Sequence, residues 1–278
     1  MYDYRNLEHV SDHEFAECLN LAFSDYYIPI RLTEEELPHF FKASGVDKKL
    51  SFGAFSGRQM VGFILNSCNI YYGQKAVFDV GTGVIPEHRG KKVFTNLLAF
   101  AERELKFQGI KRYYLEVLQQ NDRAVSLYKR QGFSIVREFS VLRACDLSEK
   151  TACANVQYAE YSNFDFQKVG RCYFLSPSYE HSTNVLKLNP DFYQIAYTDH
   201  DGVSAFCVFS KRNGQILQLG YRNIQDLQQI IQSLLSTFHE LIAKNIDVKE
   251  AAVLEMLYSV GFQQVVKQFE MVKELYLP

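Results

Sequence analysis

The sequence predicts an α+β chain, a mixed central sheet flanked by helices, made in two tandem copies. Three observations carry this reading. The same order of strands and helices runs through the chain twice. The closing segment AAVLEMLYSVGFQQVVKQFEMV echoes AVSLYKRQGFSIVREFSVL of the first half, as an internal duplication would. The 278 residues also exceed the usual size of one domain. A join near 145–155 follows, with expected domains at 1–147 and 153–278.

In the first half Tyr2–Glu8 reads as a strand. Ser11 with Glu14 forms a capping box that opens a helix with Phe15, Cys18, Leu19 and Ala22 on one face. Thr33 with Glu36 repeats the signature before Leu37, Phe40 and Phe41. Strand-like runs follow at 50–56, 60–69 and 76–85, separated by the turns Ser56-Gly57 and Tyr72-Gly73. Val93, Leu97, Ala101 and Leu105 mark a helix, Arg112–Leu118 a strand and Asp122–Arg130 a second helix. Gly132 stands where a helix end takes positive φ, and Phe133–Val141 returns as a strand.

The second half predicts a strand at 155–160, a helix opened by Ser162 and Asp165, and another helix near 177–187. Strands at 192–198, 203–209 and 214–221 come next. A helix then carries an apolar stripe from Ile224 through Phe238 to Leu241, which leaves only 245–248 for the following strand.

Composition bounds the function. Hydrophobic residues make up 47% and charged residues 22% of the chain, the profile of a globular protein with a full core. A net charge of −2 gives no electrostatic basis for capturing nucleic acid or membrane. The cysteines, Cys18, Cys68, Cys145, Cys153, Cys172 and Cys207, form no C-x-x-C pair, so they read as reduced thiols and no metal site is expected. With no apolar run of membrane-spanning length and no signal-peptide core, the expected compartment is the cytoplasm.

The informative stretch is VFDVGTGVIPEHRGKKVFTNLL, Val77 to Leu98: a strand, a short basic loop and the start of a helix. Backbone N–H groups at a helix N-terminus form an anion site, Gly90 permits close approach, and Arg89, Lys91 and Lys92 add positive charge. A diphosphate suits such a loop. After the helix comes YYLEVLQQNDRAVSLYKRQGF, Tyr113 to Phe133.

Together, V-x-P-x-x-R-G and L-E-V-x-x-x-N-x-x-A-x-x-L-Y-x-x-x-G-F resemble the two signature regions of the GNAT superfamily of acetyl-CoA-dependent N-acetyltransferases. The resemblance implies the GNAT fold and acetyl-CoA as co-substrate. It also implies a primary amine of a small molecule or peptide as acceptor. By the same resemblance, backbone groups near Val84 and Ile85 pair with the pantetheine arm, and Arg89, Gly90, Lys91, Lys92, Val93 and Phe94 hold the pyrophosphate. Asn121 contacts the arm, and Tyr128 protonates the departing thiolate. Glu116, in the L-E-V position, matches the general base of members that acetylate protein N-termini.

An amine of pKa near 10 is only about one part in a thousand neutral at pH 7, so its deprotonation costs about 4 kcal/mol and a base is required. Glu116 is one candidate and Asp79, on the strand before the loop, is another; water is a third. Outside the resemblance Tyr128 reads equally as a packed helix tyrosine, and His88 as a loop residue. The family pattern R-x-x-G-x-G/A carries small residues where Lys92 and Phe94 stand. Weaker or re-angled cofactor binding follows, and a non-catalytic acyl-CoA-binding module is the alternative function. Tyr26-Tyr27-Ile28-Pro29 reads as a candidate lining for the acceptor. The second half has no equivalent basic loop, and its Leu257 falls opposite Tyr128, so it is expected to be a degenerate copy.

Overall fold

The structure, a computed structural model, describes residues 1–26, 30–145 and 155–276. The segment Tyr27-Ile28-Pro29 and most of the join at 145–155 lie outside these. In chain order the elements are β1 (Asp3–Asn6), α1 (Asp12–Ala22), α2 (Leu37–Ser44), β2 (Phe52–Ser56), β3 (Gln59–Tyr71), β4 (Gln74–Val84), α3 (Val93–Phe107), β5 (Arg112–Leu118), α4 (Asp122–Arg130) and β6 (Ser134–Cys145). There follow β7 (Gln157–Glu160), β8 (Tyr173–Phe174), α5 (Thr183–Leu186), β9 (Tyr193–Asp199), β10 (Val203–Ser210), β11 (Ile216–Tyr221), α6 (Ile224–Thr237), β12 (Glu240–Asp247), α7 (Ala251–Ser259) and β13 (Gln263–Glu274).

Packing divides the chain into two compact units that interleave in sequence. The first holds Met1–Leu115, Leu127–Ser134 and Met271–Pro278; the second holds Glu116–Ser126 and Ile135–Glu270.

In the first unit β1, β2, β3 and β4 pair antiparallel in that order, and β5 joins β4 in parallel. A parallel neighbour needs a crossover, which α3 supplies. α3 buries Val93, Leu97, Leu98, Ala101 and Leu105, the stripe its sequence predicts. At the start of α1 the Ser11 side chain accepts from the Glu14 N–H, as the capping pattern requires. Before α2 the Thr33 N–H donates to Glu36 Oε2 at 2.9 Å, and the helix opens one residue later at Leu37.

The end of the chain completes this unit. Leu275 N donates to Lys111 O at 2.8 Å, Arg112 pairs with Glu274 at 2.8 Å, and Met271 and Leu275 are buried.

The second unit repeats the pattern. β7, β9, β10 and β11 pair antiparallel in that order, β12 lies parallel to β11 after the α6 crossover, and β6 pairs antiparallel with β12. α6 covers the core with Leu227, Ile230, Ile231 and Leu234.

Three local expectations are corrected here. α6 stops at Thr237 and β12 is a full strand from Glu240, because Leu241 and Ala243 alternate inward while six residues of the strand pair with β6. Leu241 fits both periods, and cross-strand pairing decides between them. The helix opened by Ser162 and Asp165 is two 3₁₀ turns, Tyr161–Asn163 and Phe166–Val169, too short to propagate. The helix near 177–187 shrinks to α5, since Ser178 and His181 are held by partners across the unit rather than by a helical ladder.

A fragment 1–147 lacks Met271–Pro278 and therefore the part of β13 that belongs to the first unit. Losing two buried apolar side chains costs about 1.5–3 kcal/mol each, and each kcal/mol moves the melting midpoint by about 2–4 °C in a chain of this size. The fragment is expected to melt at least about 6 °C below the full chain in circular dichroism; an unchanged midpoint would show the segment to be dispensable.

Candidate active site

β4 carries the site because its pairing changes along its length. The ladder with β3 slips between Leu65 and Asn66, where Leu65 faces Gly81 and Asn66 faces Asp79. Val80 is therefore an extra residue, a bulge that re-aims the side chains beside it. The parallel ladder with β5 runs from Ala76↔Arg112 to Asp79↔Leu115 and stops there, although β4 continues to Val84.

Asp79 sits at that end point, 9% exposed. Its Oδ2 accepts from Thr82 Oγ1 at 2.6 Å and from Tyr128 Oη at 3.3 Å, while its Oδ1 is buried without a partner. Burial pushes the carboxyl up to about 6, against the hydrogen bonds from Thr82 and Tyr128 that favour the charged form. For Tyr128, burial first and the nearby Asp79 charge second hold the phenol well above its usual range, so it is a proton donor at neutral pH. The contact at 3.3 Å is long for an O–H···O bond, so the hydroxyl is loosely held. The Tyr128 ring is fixed edge-on between Phe94, 5.6 Å away at 88°, and Phe133, 5.5 Å away at 70°.

The basic loop follows β4. Gly90 has φ 74° and Lys92 has φ 60°, so Lys92 is the left-handed N-cap of α3 with its side chain in solvent. A Cβ built on Gly90 would meet nothing within 4 Å, so the loop backbone is open to a ligand. Lys91 is exposed, while Ile85 and Val93 are buried.

The Arg89 guanidinium is committed elsewhere. It donates to Val84 O at 2.9 Å, to Ala22 O at 2.9 Å and to both carboxylate oxygens of Asp25 at 2.6 and 2.8 Å. It clamps the end of α1 to the end of β4, and any anion binding here falls to the backbone and the two lysines. His88 accepts or donates through Nδ1 to Tyr2 Oη at 2.8 Å.

The remaining predicted residues lie in the second unit. Asn121 caps α4, its Oδ1 accepting from Ala124 N at 3.1 Å. Glu116 is partly buried, and its Oε2 accepts from Asn245 Nδ2 at 2.7 Å. Burial and the charge of Glu180 push Glu116 up to about 8, against the pull of Lys244. Sequence reading missed Thr82, Ser178 and Asn245. Gly81 and Gly83 around Thr82 were the available sign of a bulge; nothing near Asn245 marked it.

β11 and β12 of the second unit hold the positions of β4 and β5, and their ladder is the single pair Ile216↔Ala243. The gap beyond it is filled. β10 covers one edge of β11 through Ala205↔Tyr221 and Phe206↔Gly220, so β8, paired Phe174↔Gly220 and Tyr173↔Tyr221, takes the other. Leu175 N continues that ladder to Leu219 O at 3.1 Å, and Gln218 Nε2 donates to His181 O at 2.6 Å.

Among the described residues no group of His, Cys, Asp or Glu is placed to hold a metal ion, and no helix is long and apolar enough to cross a membrane.

Residues 15–133 match the model of the acetyltransferase (GNAT) family. That region carries the pattern of the GNAT acetyltransferases, a family of acyltransferases that uses acyl-CoA as co-substrate. Solved structures match the chain nearly end to end. A GCN5-related N-acetyltransferase from Sphaerobacter thermophilus is 14% identical, with TM-score 0.68 over 99% of this chain and 96% of that one. A putative acetyltransferase from Pyrococcus horikoshii is 16% identical, with TM-score 0.67 over 98% of this chain and 89% of that one. A tandem GNAT protein from the clavulanic acid biosynthesis pathway is 10% identical, with TM-score 0.62 over the whole of both chains. At these identities the likeness is one of fold. No curated protein matches the sequence.

Left-handed backbone costs an L-residue about 1–2 kcal/mol, and Lys92 adopts it at φ 60°. Lys92→Gly is expected to stabilise the protein by about 1 kcal/mol in chemical denaturation; a loss of stability would show that the lysine side chain secures the loop.

Proposed function

We propose that the chain is an N-acetyltransferase that moves an acetyl group from acetyl-CoA to a primary amine of a small molecule or peptide, with its catalytic machinery within residues 1–147. The observation that carries the reading is the Tyr128–Asp79 pair at the point where β4 leaves β5, one short loop before the open helix N-terminus of α3. Val84 and Ile85 are then the backbone that meets the pantetheine arm, and the loop from Arg89 to Phe94 the diphosphate cradle. The fit is of kind: anion-binding N–H groups where a diphosphate is needed and, past Asp79, a strand edge no longer paired with β5 where amides are needed.

In this mechanism the amine nitrogen gives up its ammonium proton to a carboxylate base and attacks the thioester carbonyl carbon. A C–N bond forms and the carbonyl oxygen takes the negative charge, which the N–H groups at the end of β4 stabilise. The carbon–sulfur bond then breaks, and Tyr128 gives its proton to the departing thiolate. Asp79, whose carboxyl lies at about 6, is poised near neutral pH to act as base or to return the proton to Tyr128. Glu116, at about 8, is the second candidate base.

The second unit, its β11 edge covered by β8 and Leu175, has no such opening. One CoA per chain is therefore expected in calorimetric titration. A non-catalytic acyl-CoA-binding module is the second reading, favoured by Phe94, which meets Tyr128 edge to face where a small residue is usual. Single-turnover consumption of acetyl-CoA with a panel of amines separates the two.

Tyr128→Phe is expected to lower turnover by about 10²–10⁴-fold, the range for a lost general acid, with CoA affinity nearly unchanged. A wild-type rate would reduce Tyr128 to packing.

The pH–rate profile identifies the base. A base must be ionised, so activity falls as pH drops through its pKa. A limb near pH 6 that disappears in Asp79→Asn assigns the role to Asp79; a limb near pH 8 that disappears in Glu116→Gln assigns it to Glu116.

A further inference from the structure

Deep in the second unit is a cluster of charged and polar groups that the fold does not require. Glu116, Ser178, Glu180, Lys244, Asn245, Glu270 and Arg137 meet there. Lys244 pairs with Glu180 at 2.6 Å, and Arg137 grips Glu270 through two bonds at 2.7 and 2.9 Å. Two carboxylates are matched by these two cations, and the carboxyl outside both pairs is Glu116.

Asn245 stands against that carboxyl. It is 5% exposed and stands at φ 61° inside β12, at the bulge where pairing with β6 slips between Ala243 and Ile246. Its amide group donates to Glu116 Oε2 at 2.7 Å and to Ser178 Oγ at 3.1 Å, which fixes the orientation of the side chain. Two oxygens are left over, Asn245 Oδ1 and Glu116 Oε1, both buried without a partner, and both are acceptors once Glu116 is ionised. A buried acceptor without a donor is costly, and a buried carboxylate without a counter-charge more so. Lys244 and Glu180 each keep about a third of their side chains in solvent, at 31% and 29%, so that side of the cluster meets water.

We propose that Asn245 and Glu116 form a subsite for a primary ammonium group, with Asn245 Oδ1 and Glu116 Oε1 as its acceptors and the charge of Glu116 as its counter-ion. The cation is an ammonium because it supplies several N–H donors to two oxygens of different kind, one charged and one neutral. That such amines are also acceptor substrates rests on the function proposed above; the binding itself does not.

Protonation gives the subsite a signature. The groups facing Glu116 are Glu180, Glu270 and Lys244, with His181 beside Lys244 and held near 3 by burial and that lysine. Glu116 alone changes charge near neutrality, at about 8. An ammonium favours its ionised form and lowers that value, so binding at pH 7 releases a proton. Affinity then rises with pH through about 8 until the amine itself loses its charge.

The test is calorimetric titration of the full chain without acyl-CoA, in two buffers of different ionisation enthalpy. The probes are an alkyl diamine, an amino sugar and a peptide with a free N-terminus, each beside its N-acetylated counterpart, with potassium chloride as a cation control. At least one amine is expected to saturate at least tenfold more tightly than its acetylated counterpart, with proton release. Glu116→Gln should abolish the proton release, and both it and Asn245→Leu should weaken the amine at least tenfold while their circular dichroism matches the wild type. Absence of saturable binding by every amine would overturn the proposal, with Lys244 then neutralising Glu116 internally. Equal binding of amine and N-acetyl compound, or of potassium, would also overturn it. So would unchanged affinity in Glu116→Gln. Should a variant unfold, proton release and pH dependence in the wild-type chain decide alone. None of these outcomes touches Tyr128 or thioester consumption, so the subsite and the acetyltransferase reading fail independently.

Discussion

The end of the parallel ladder at Asp79↔Leu115 governs the candidate site of the first unit. Past that pair β4 continues for another stretch of backbone, and the bulge at Val80 turns Asp79 and Thr82 toward one another. A carboxyl placed at such a break is enclosed by the sheet on one side and shares its oxygen with Thr82 and Tyr128 on the other. Burial then raises its proton affinity to near neutrality, where a proton carrier works best. The aromatic pair Phe94 and Phe133 keeps the Tyr128 ring in reach, and the Arg89 clamp holds the loop that follows β4.

The second unit contains the same break and answers it differently. Its β11–β12 ladder ends after one pair, yet the freed edge of β11 is covered by β8 and Leu175. The segment that follows sends Ser178 and His181 inward to Asn245 and Gln218. Duplication therefore gave two openings of one architecture. One stayed free beside a basic loop, and the other became a polar interior in which Glu116 stands outside both ion pairs.

Much of this was legible in residues. Capping at Ser11, the stripe of α3, the left-handed Gly132 and the order of strands are local effects of side chains on their own backbone. The loop from Arg89 to Lys92 and the tyrosine of L-Y-x-x-x-G-F likewise announce their chemistry in the chain. Leu241, by contrast, satisfied the helical and the strand period alike, and only its pairing partner Ala144 made it a strand residue. The short turns at 161–169 fooled a capping signal because a cap opens a helix but does not supply the packed face that sustains one.

By itself the sequence determined the fold class, its tandem repetition and the family of chemistry, because periodicity, caps and motif spacing act over a few residues. Tertiary structure alone decided that the end of the last strand, from Met271, belongs to the first unit while its beginning belongs to the second. It also decided that Arg89 serves as a clamp, that Asp79 rather than a distant group meets Tyr128, and that Glu116 faces Asn245. Each of these is a contact between residues far apart in the chain, set by which strand edges close and which remain open.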